Sequence, residues 1–163
     1  MSFAILFIGL YNFRTATKLP CIAVPIAIPD LKILIAEDHM VMRQMIAKAL
    51  NAKGVKSVEQ TADGKSACDM IASARTGGAP YHIVFADWNM PGVSGIDLVK
   101  QFRAQAEFAT TGFIMVTAKS MQSEIMEAIR AGATAYMIKP ITPDSIVKKL
   151  DETLAWINKA LAK

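Results

Sequence analysis

The chain has 163 residues, 53% of them hydrophobic and 20% charged, with a formal net charge of +4. That length fits one domain able to bury about two thirds of its unfolded surface. Lys and Arg are scattered, with no aromatic-basic stripe beside them, so the positive balance does not point to nucleic acid as a partner.

Residues 1–30 stand apart from the rest. Phe3–Tyr11 is an apolar run too short to span a bilayer as a helix, so no membrane partner is expected. No Lys or Arg precedes it, as a signal peptide would require, and Pro20, Pro25 and Pro29 forbid a regular helix after it. Residues 1–30 therefore read as an N-terminal extension, either a tail or sequence ahead of the true start. Residues 31–163 read as the domain.

From Leu31 onward, short apolar runs alternate with helical periodicity. Lys32–Ala36 is a strand ending at Glu37 and Asp38, and Met42, Met45, Ile46, Ala49 and Leu50 then recur at helical spacing until Gly54. Val58–Thr61 is a weaker strand. Asp63-Gly64 turns into a helix with Ala67, Met70, Ile71 and Ala74 on one face, closed by Gly77-Gly78 and Pro80. Tyr81–Ala86 is a third strand, ending at Asp87, and Ile96–Phe102 is helical. Phe113–Val116 ends at Thr117, and Met121–Ala131 is a helix stopped by Gly132. Ala135–Ile138 ends at Lys139-Pro140, and the last helix starts near Thr142 with Ile146, Leu150, Leu154, Ile157 and Leu161 on its apolar side. This pattern predicts an α/β fold, a doubly wound five-stranded parallel sheet with helices on both faces.

In such sheets ligands sit beyond the carboxyl ends of the strands. Those ends carry Glu37 and Asp38, Asp87, Thr117 and Lys139. Three neighbouring carboxylates repel unless a cation joins them, and a few hard oxygen ligands with room for water suit Mg²⁺. A carboxylate beside Mg²⁺ and an ammonium is ionised and able to attack a phosphoryl group. The ammonium of Lys139 and the hydroxyl of Thr117 would hold the equatorial oxygens.

Four segments carry a family resemblance: Leu34–Asp38 (LIAED), Phe85–Gly92 (FADWNMPG), Met115–Ala118 (MVTA) and Tyr136–Pro140 (YMIKP). Together and in this order they resemble the signatures of response-regulator receiver domains, and Asp87–Pro91 is similar to the single-domain, chemotaxis-type members. The resemblance implies the flavodoxin-like strand order 2-1-3-4-5. It implies Asp87 as phosphoacceptor, with Mg²⁺ held by Glu37, Asp38, Asp87 and the main-chain carbonyl of Asn89. Thr117 and Lys139 would contact the phosphoryl group, Tyr136 would be an aromatic switch moving with Thr117, and the Lys139-Pro140 bond is often cis in the family. The implied partners are a histidine kinase or phosphotransfer protein and a downstream protein target. The target would dock on the face of the fourth helix, fifth strand and fifth helix, including Ile125, Ile129, Tyr136 and Ile141. The implied setting is the cytoplasm, and the protein is expected to be a self-catalysing phosphoacceptor rather than an enzyme.

Two positions depart from the common pattern. Glu37 stands where Asp is commoner, and Lys119, two residues after Thr117, stands beside the path of an attacking water, where it is expected to pair with the phosphoryl oxygens and obstruct hydrolysis. Trp88 reads as a partly exposed platform, and His39 and His82 as structural. Cys21 and Cys68 give neither metal spacing nor a disulfide framework, and Cys68 reads as a small buried hydrophobe. A related Mg²⁺–Asp phosphatase would place a second acid at Asn89, and a degenerate scaffold would have lost part of the set, so both alternatives are disfavoured.

Overall fold

The apolar runs form the strands of one sheet. In the computed structural model, which describes residues 24–163, the strands are β1 (Lys32–Ala36), β2 (Ser57–Thr61), β3 (Ile83–Asp87), β4 (Gly112–Thr117) and β5 (Ala135–Ile138). They alternate with helices α1 (Met40–Ala52), α2 (Gly64–Thr76), α3 (Gly95–Arg103), α4 (Gln122–Ala131) and α5 (Pro143–Leu161). All pairings are parallel, in the order β2-β1-β3-β4-β5. The run Phe3–Tyr11, Pro20 and Cys21 lie outside the described residues.

Period-two alternation divides each central strand between two cores. Leu34, Val84, Ala86, Phe113 and Met115 face α2, α3 and α4, meeting Ala67, Ile71, Leu98, Phe102 and Ala128. Ile33, Ile35, Ile83, Phe85, Ile114 and Val116 face α1 and α5, meeting Ile46, Leu50, Ile146, Leu150 and Ile157. Burial on both faces explains why β1, β3 and β4 read as unbroken apolar runs, whereas the edge strand β2 is only half-buried.

The third strand is shorter than the sequence predicts. Tyr81 and His82 precede it, each held by its side chain: the Tyr81 hydroxyl donates to Glu59 at 2.5 Å, and His82 Nδ1 accepts the Lys32 N–H at 2.9 Å. At this same end of the sheet, residues ahead of β1 already pack on the domain. The Ile26 N–H donates to Asn158 Oδ1 at 2.8 Å, the Asn158 amide donates back to the Ile26 carbonyl at 3.1 Å, and Ile26 and Ile28 lie against the α1–α5 core.

Three helix ends are fixed by chemistry legible at their residues. Asp63 Oδ1 accepts the Ser66 N–H at 2.7 Å and caps α2, and the Thr142 hydroxyl caps α5 ahead of Pro143. α4 closes on Gly132 at φ +93°, a left-handed conformation that favours glycine. A Cβ there would also lie 2.6 Å from Arg103 Cγ.

Candidate functional site

β1 and β3 are adjacent in the sheet, but the chain leaves them toward opposite edges. Their carboxyl ends therefore flank a crevice. β1 delivers Glu37 and Asp38 to this crevice, β3 delivers Asp87, β4 delivers Thr117, and Lys139 follows β5. One carboxylate oxygen from each of Glu37, Asp38 and Asp87 lies within 4.8 Å of the others. The Lys139 ammonium stands among them, donating to Glu37 Oε1 at 3.0 Å and lying 2.9 Å from Glu37 Oε2 and 3.1 Å from Asp87 Oδ1.

Local structure aims each group. Arg43, one turn into α1, donates to the carbonyls of Glu37 at 2.6 Å and Asp38 at 3.3 Å, pinning the turn that presents both acids. Gly95 lets α3 abut the end of β3, since a Cβ there would fall 2.1 Å from the Asp87 carbonyl oxygen. The Lys139 N–H donates to the Thr117 carbonyl at 2.8 Å, and the Lys139-Pro140 bond is cis.

Burial sets the electrostatics. Glu37 and Asp87 are buried, Asp38 and Asn89 exposed. Desolvation raises the Glu37 carboxyl above its ordinary value, as does the charge of Asp87, against the opposing bond from Lys139. Desolvation likewise raises Asp87, with Asp38 adding to it and Lys139 opposing. Burial pulls Lys139 down, but the bond to Glu37 and the charges of Asp87 and Glu37 outweigh it, leaving the ammonium above its ordinary value. Carboxylates held uncomfortably close, with one ammonium among them, make a site that a divalent cation would relieve. The donor set fits Mg²⁺: hard oxygens from two buried acids and one exposed acid. Glu37 Oε2 has no hydrogen-bond partner despite its ion pair with Lys139.

Thr117 is fully buried, and its oxygen accepts the Lys119 N–H at 3.1 Å, leaving the hydroxyl proton for another acceptor. Tyr136 is half-buried, its hydroxyl donating to the Lys119 carbonyl at 2.9 Å. Trp88 corrects the expectation of a partly exposed platform. It is 5% exposed, because the helix-packed core closes beneath it and Lys119 lies over its ring, the ammonium 4.6 Å from the centroid. The Lys119 ammonium, which lies over Trp88, is 3.4 Å from Glu124 Oε1, so it already has a carboxylate of its own.

His82 is structural as expected, and Cys68 packs half-buried against the core. Sequence reasoning missed Arg43, whose position four residues after His39 is the only signal of its reach back to the turn. Away from the carboxylates, Ile125, Tyr136, Ile138, Ile141, Lys148 and Lys149 line a groove of about 540 Å³ between α4 and α5. Among the described residues, no helix is long and apolar enough to cross a membrane.

Comparison with known proteins agrees with this geometry. Residues 33–151 match the family described as response regulator receiver domain. The chain is 35% identical to chemotaxis protein CheY-3 of Vibrio cholerae over 123 residues, 76% of this chain and 91% of that protein. It is 33% identical to chemotaxis protein CheY of Pseudomonas aeruginosa over 128 residues, 78% of this chain and 99% of that protein. Among solved structures, it is similar to the chemotaxis response regulator CheY4 of Vibrio cholerae, at 30% identity and a TM-score of 0.65, over 76% of this chain and 98% of that one. It is also similar to the receiver domain of the sensor histidine kinase PA1611 of Pseudomonas aeruginosa, which holds a magnesium ion in its active-site cleft. That match has 25% identity and a TM-score of 0.66, over 77% and 98% of the two chains. A sheet with this strand order, four receiver signatures at its strand ends and relatives aligned along most of their length lead to one conclusion: the chain belongs to the response regulator receiver domain family of two-component signalling.

Proposed function

We propose that the protein is a stand-alone response regulator that accepts a phosphoryl group on Asp87 from a histidine kinase or phosphotransfer protein. The observation that carries this is the meeting of the carboxylates of Glu37, Asp38 and Asp87 with the ammonium of Lys139 at one crevice. Glu37, Asp38, Asp87 and the main-chain carbonyl of Asn89 would hold Mg²⁺. When bound, the ion supplies charge neutralisation for the phosphoryl oxygens and the neighbouring acids. Asp87 Oδ attacks phosphorus while the bond from phosphorus to the donor's nitrogen or oxygen breaks. The donor leaves with the electron pair and takes up a proton. Lys139 and the free hydroxyl proton of Thr117 bind the transferred oxygens.

Thr117 engagement would move Tyr136, the aromatic switch. The α4–β5–α5 face, with its groove beside Tyr136 and Ile141, would then meet a downstream protein. The likeness to chemotaxis regulators favours a chemotaxis or related pathway in the cytoplasm. Residues 31–163 are the receiver unit, with 1–30 an extension not needed for the chemistry. Mg²⁺-dependent labelling with a small phosphodonor tests the reading. We expect one stable label per chain and none in Asp87→Asn; continuous donor turnover would make the protein an enzyme, and no label would make it a scaffold.

A further inference from the structure

Lys119 touches four parts of the molecule at once. Its N–H donates to the Thr117 hydroxyl oxygen at 3.1 Å and its carbonyl accepts from the Tyr136 hydroxyl at 2.9 Å. Its ammonium lies 4.6 Å from the centre of the buried Trp88 ring, beside the phosphoacceptor, and 3.4 Å from Glu124 Oε1. Glu124 in turn uses its other oxygen, Oε2, to accept the Met121 N–H at 3.2 Å at the start of α4. Met121 is an apolar N-cap residue whose side chain makes no capping hydrogen bond, so Glu124 is the side chain that caps this helix. The capping carboxylate is thus paired with a residue whose main chain touches Thr117 and whose ammonium lies over Trp88.

We infer that Lys119 is a positioning residue that couples the Asp87 end of the sheet to the first turn of α4, an inference that rests on the phosphoacceptor reading of Asp87. Two forces act on Lys119 when Asp87 carries a phosphoryl group. Thr117 turns its hydroxyl proton to the new oxygens, which disturbs the bond that its oxygen accepts from the Lys119 N–H. The added negative charge beside Trp88 competes with Glu124 for the ammonium. Both draw Lys119 away from Glu124, which loosens the cap and the first turn of α4. The exposed apolar residues Met121, Met126 and Ile129 lie on that helix and its cap, so the surface offered to a partner changes with the clasp.

Amide hydrogen exchange of the full chain tests this, with and without Mg²⁺ and acetyl phosphate. The variants are Lys119→Met, which keeps the stem over Trp88 and removes the charge, Glu124→Gln, and the two together. Intact mass reports phosphorylation in every sample. In the unphosphorylated proteins, exchange in the first turn of α4 should be about three- to tenfold faster in each single variant than in the parent, the scale of a lost helix cap. The double variant should be no faster than the singles. Phosphorylation should speed that turn in the parent and leave Lys119→Met unchanged. Trp88 emission, read in a Trp156→Phe background, should depend on ionic strength in the parent and not in Lys119→Met. Parent-like exchange in both single variants, or an undiminished α4 response in phosphorylated Lys119→Met, overturns the coupling alone. Absence of phosphate on every protein overturns the reading of Asp87 and the coupling with it.

Discussion

The Lys139 ammonium reaches both oxygens of the Glu37 carboxylate, at 3.0 Å and 2.9 Å, and Glu37 is 1% exposed. Lys139 is thus the counter-ion of a buried acid, in addition to the phosphoryl contact proposed for it. Removing it leaves Glu37 and Asp87 without compensation. Lys139→Ala should cost on the order of 2 kcal/mol in the metal-free protein, the scale of a charged hydrogen bond. Millimolar Mg²⁺ should recover much of that loss by replacing the missing positive charge. Urea unfolding of parent and variant, each with EDTA or Mg²⁺, checks both parts.

The same carboxylates set a pH dependence. Glu37 and Asp87 have folded-state values raised above their ordinary 4.5 and 3.8. A raised folded value means that stability is fully present below the unfolded value and is lost as pH rises through the folded one. The metal-free protein should therefore lose stability from these two groups as pH climbs from about 4 toward neutrality. Lys139 stays charged throughout this window, so its contribution is constant there. Mg²⁺ would bind the ionised acids, so its stabilisation should grow over the same range, reaching about 2.7 kcal/mol at a hundred times its dissociation constant. Thermal melts across pH with and without Mg²⁺ should diverge toward neutral pH; parallel curves would contradict this.

Ile26 exchanges two hydrogen bonds with Asn158, and Ile26 and Ile28 pack on the α1–α5 core. A chain starting at Val24 should therefore be more stable than one starting at Leu31, by about 1–3 kcal/mol for two neutral hydrogen bonds. Both should still accept phosphate, because none of these residues reaches the crevice. Asn158→Ala in the longer chain should reproduce most of the difference. Equal denaturation midpoints for the two chains would show that the segment contributes nothing.

Arg103 joins three parts of the fold. Its guanidinium donates to the carbonyls of Gly132 at 2.7 Å, Phe108 at 2.6 Å and Thr111 at 2.7 Å, and to the Thr134 hydroxyl at 2.9 Å. It thereby ties the end of α3 to the end of α4 and the entry to β4. Arg103→Leu should cost on the order of 3 kcal/mol, since several charge-assisted bonds are lost and their acceptors stranded. Denaturant unfolding measures it, with Arg103→Lys recovering little because an ammonium cannot span the same acceptors.

These cases show why some features are legible in the sequence and others are not. β1, β3 and β4 are buried on both faces, so composition alone marks them, and each ends at the residue that chemistry requires. The strand-end positions of Glu37, Asp38, Asp87, Thr117 and Lys139 follow from that periodicity. Nothing in the sequence marks Arg103, since its acceptors lie in residues 108–111 and 132–134, which only the fold brings to the end of α3. Trp88 looks exposed because nothing local reveals the core beneath it or Lys119 over its ring. Ile26 and Ile28 sit among prolines in a segment without periodicity, so their packing is invisible until α5 is in place.

Mapping the acyl phosphate shows directly whether Asp87 carries the phosphoryl group. The protein is incubated with Mg²⁺ and acetyl phosphate, reduced with borohydride, and digested for mass spectrometry. Borohydride converts a phosphorylated aspartate to homoserine, which marks the residue. Homoserine at position 87 alone, lost when Mg²⁺ is chelated, is the predicted result. Homoserine at position 38 instead, or modification at position 87 undiminished by chelation, would contradict the account.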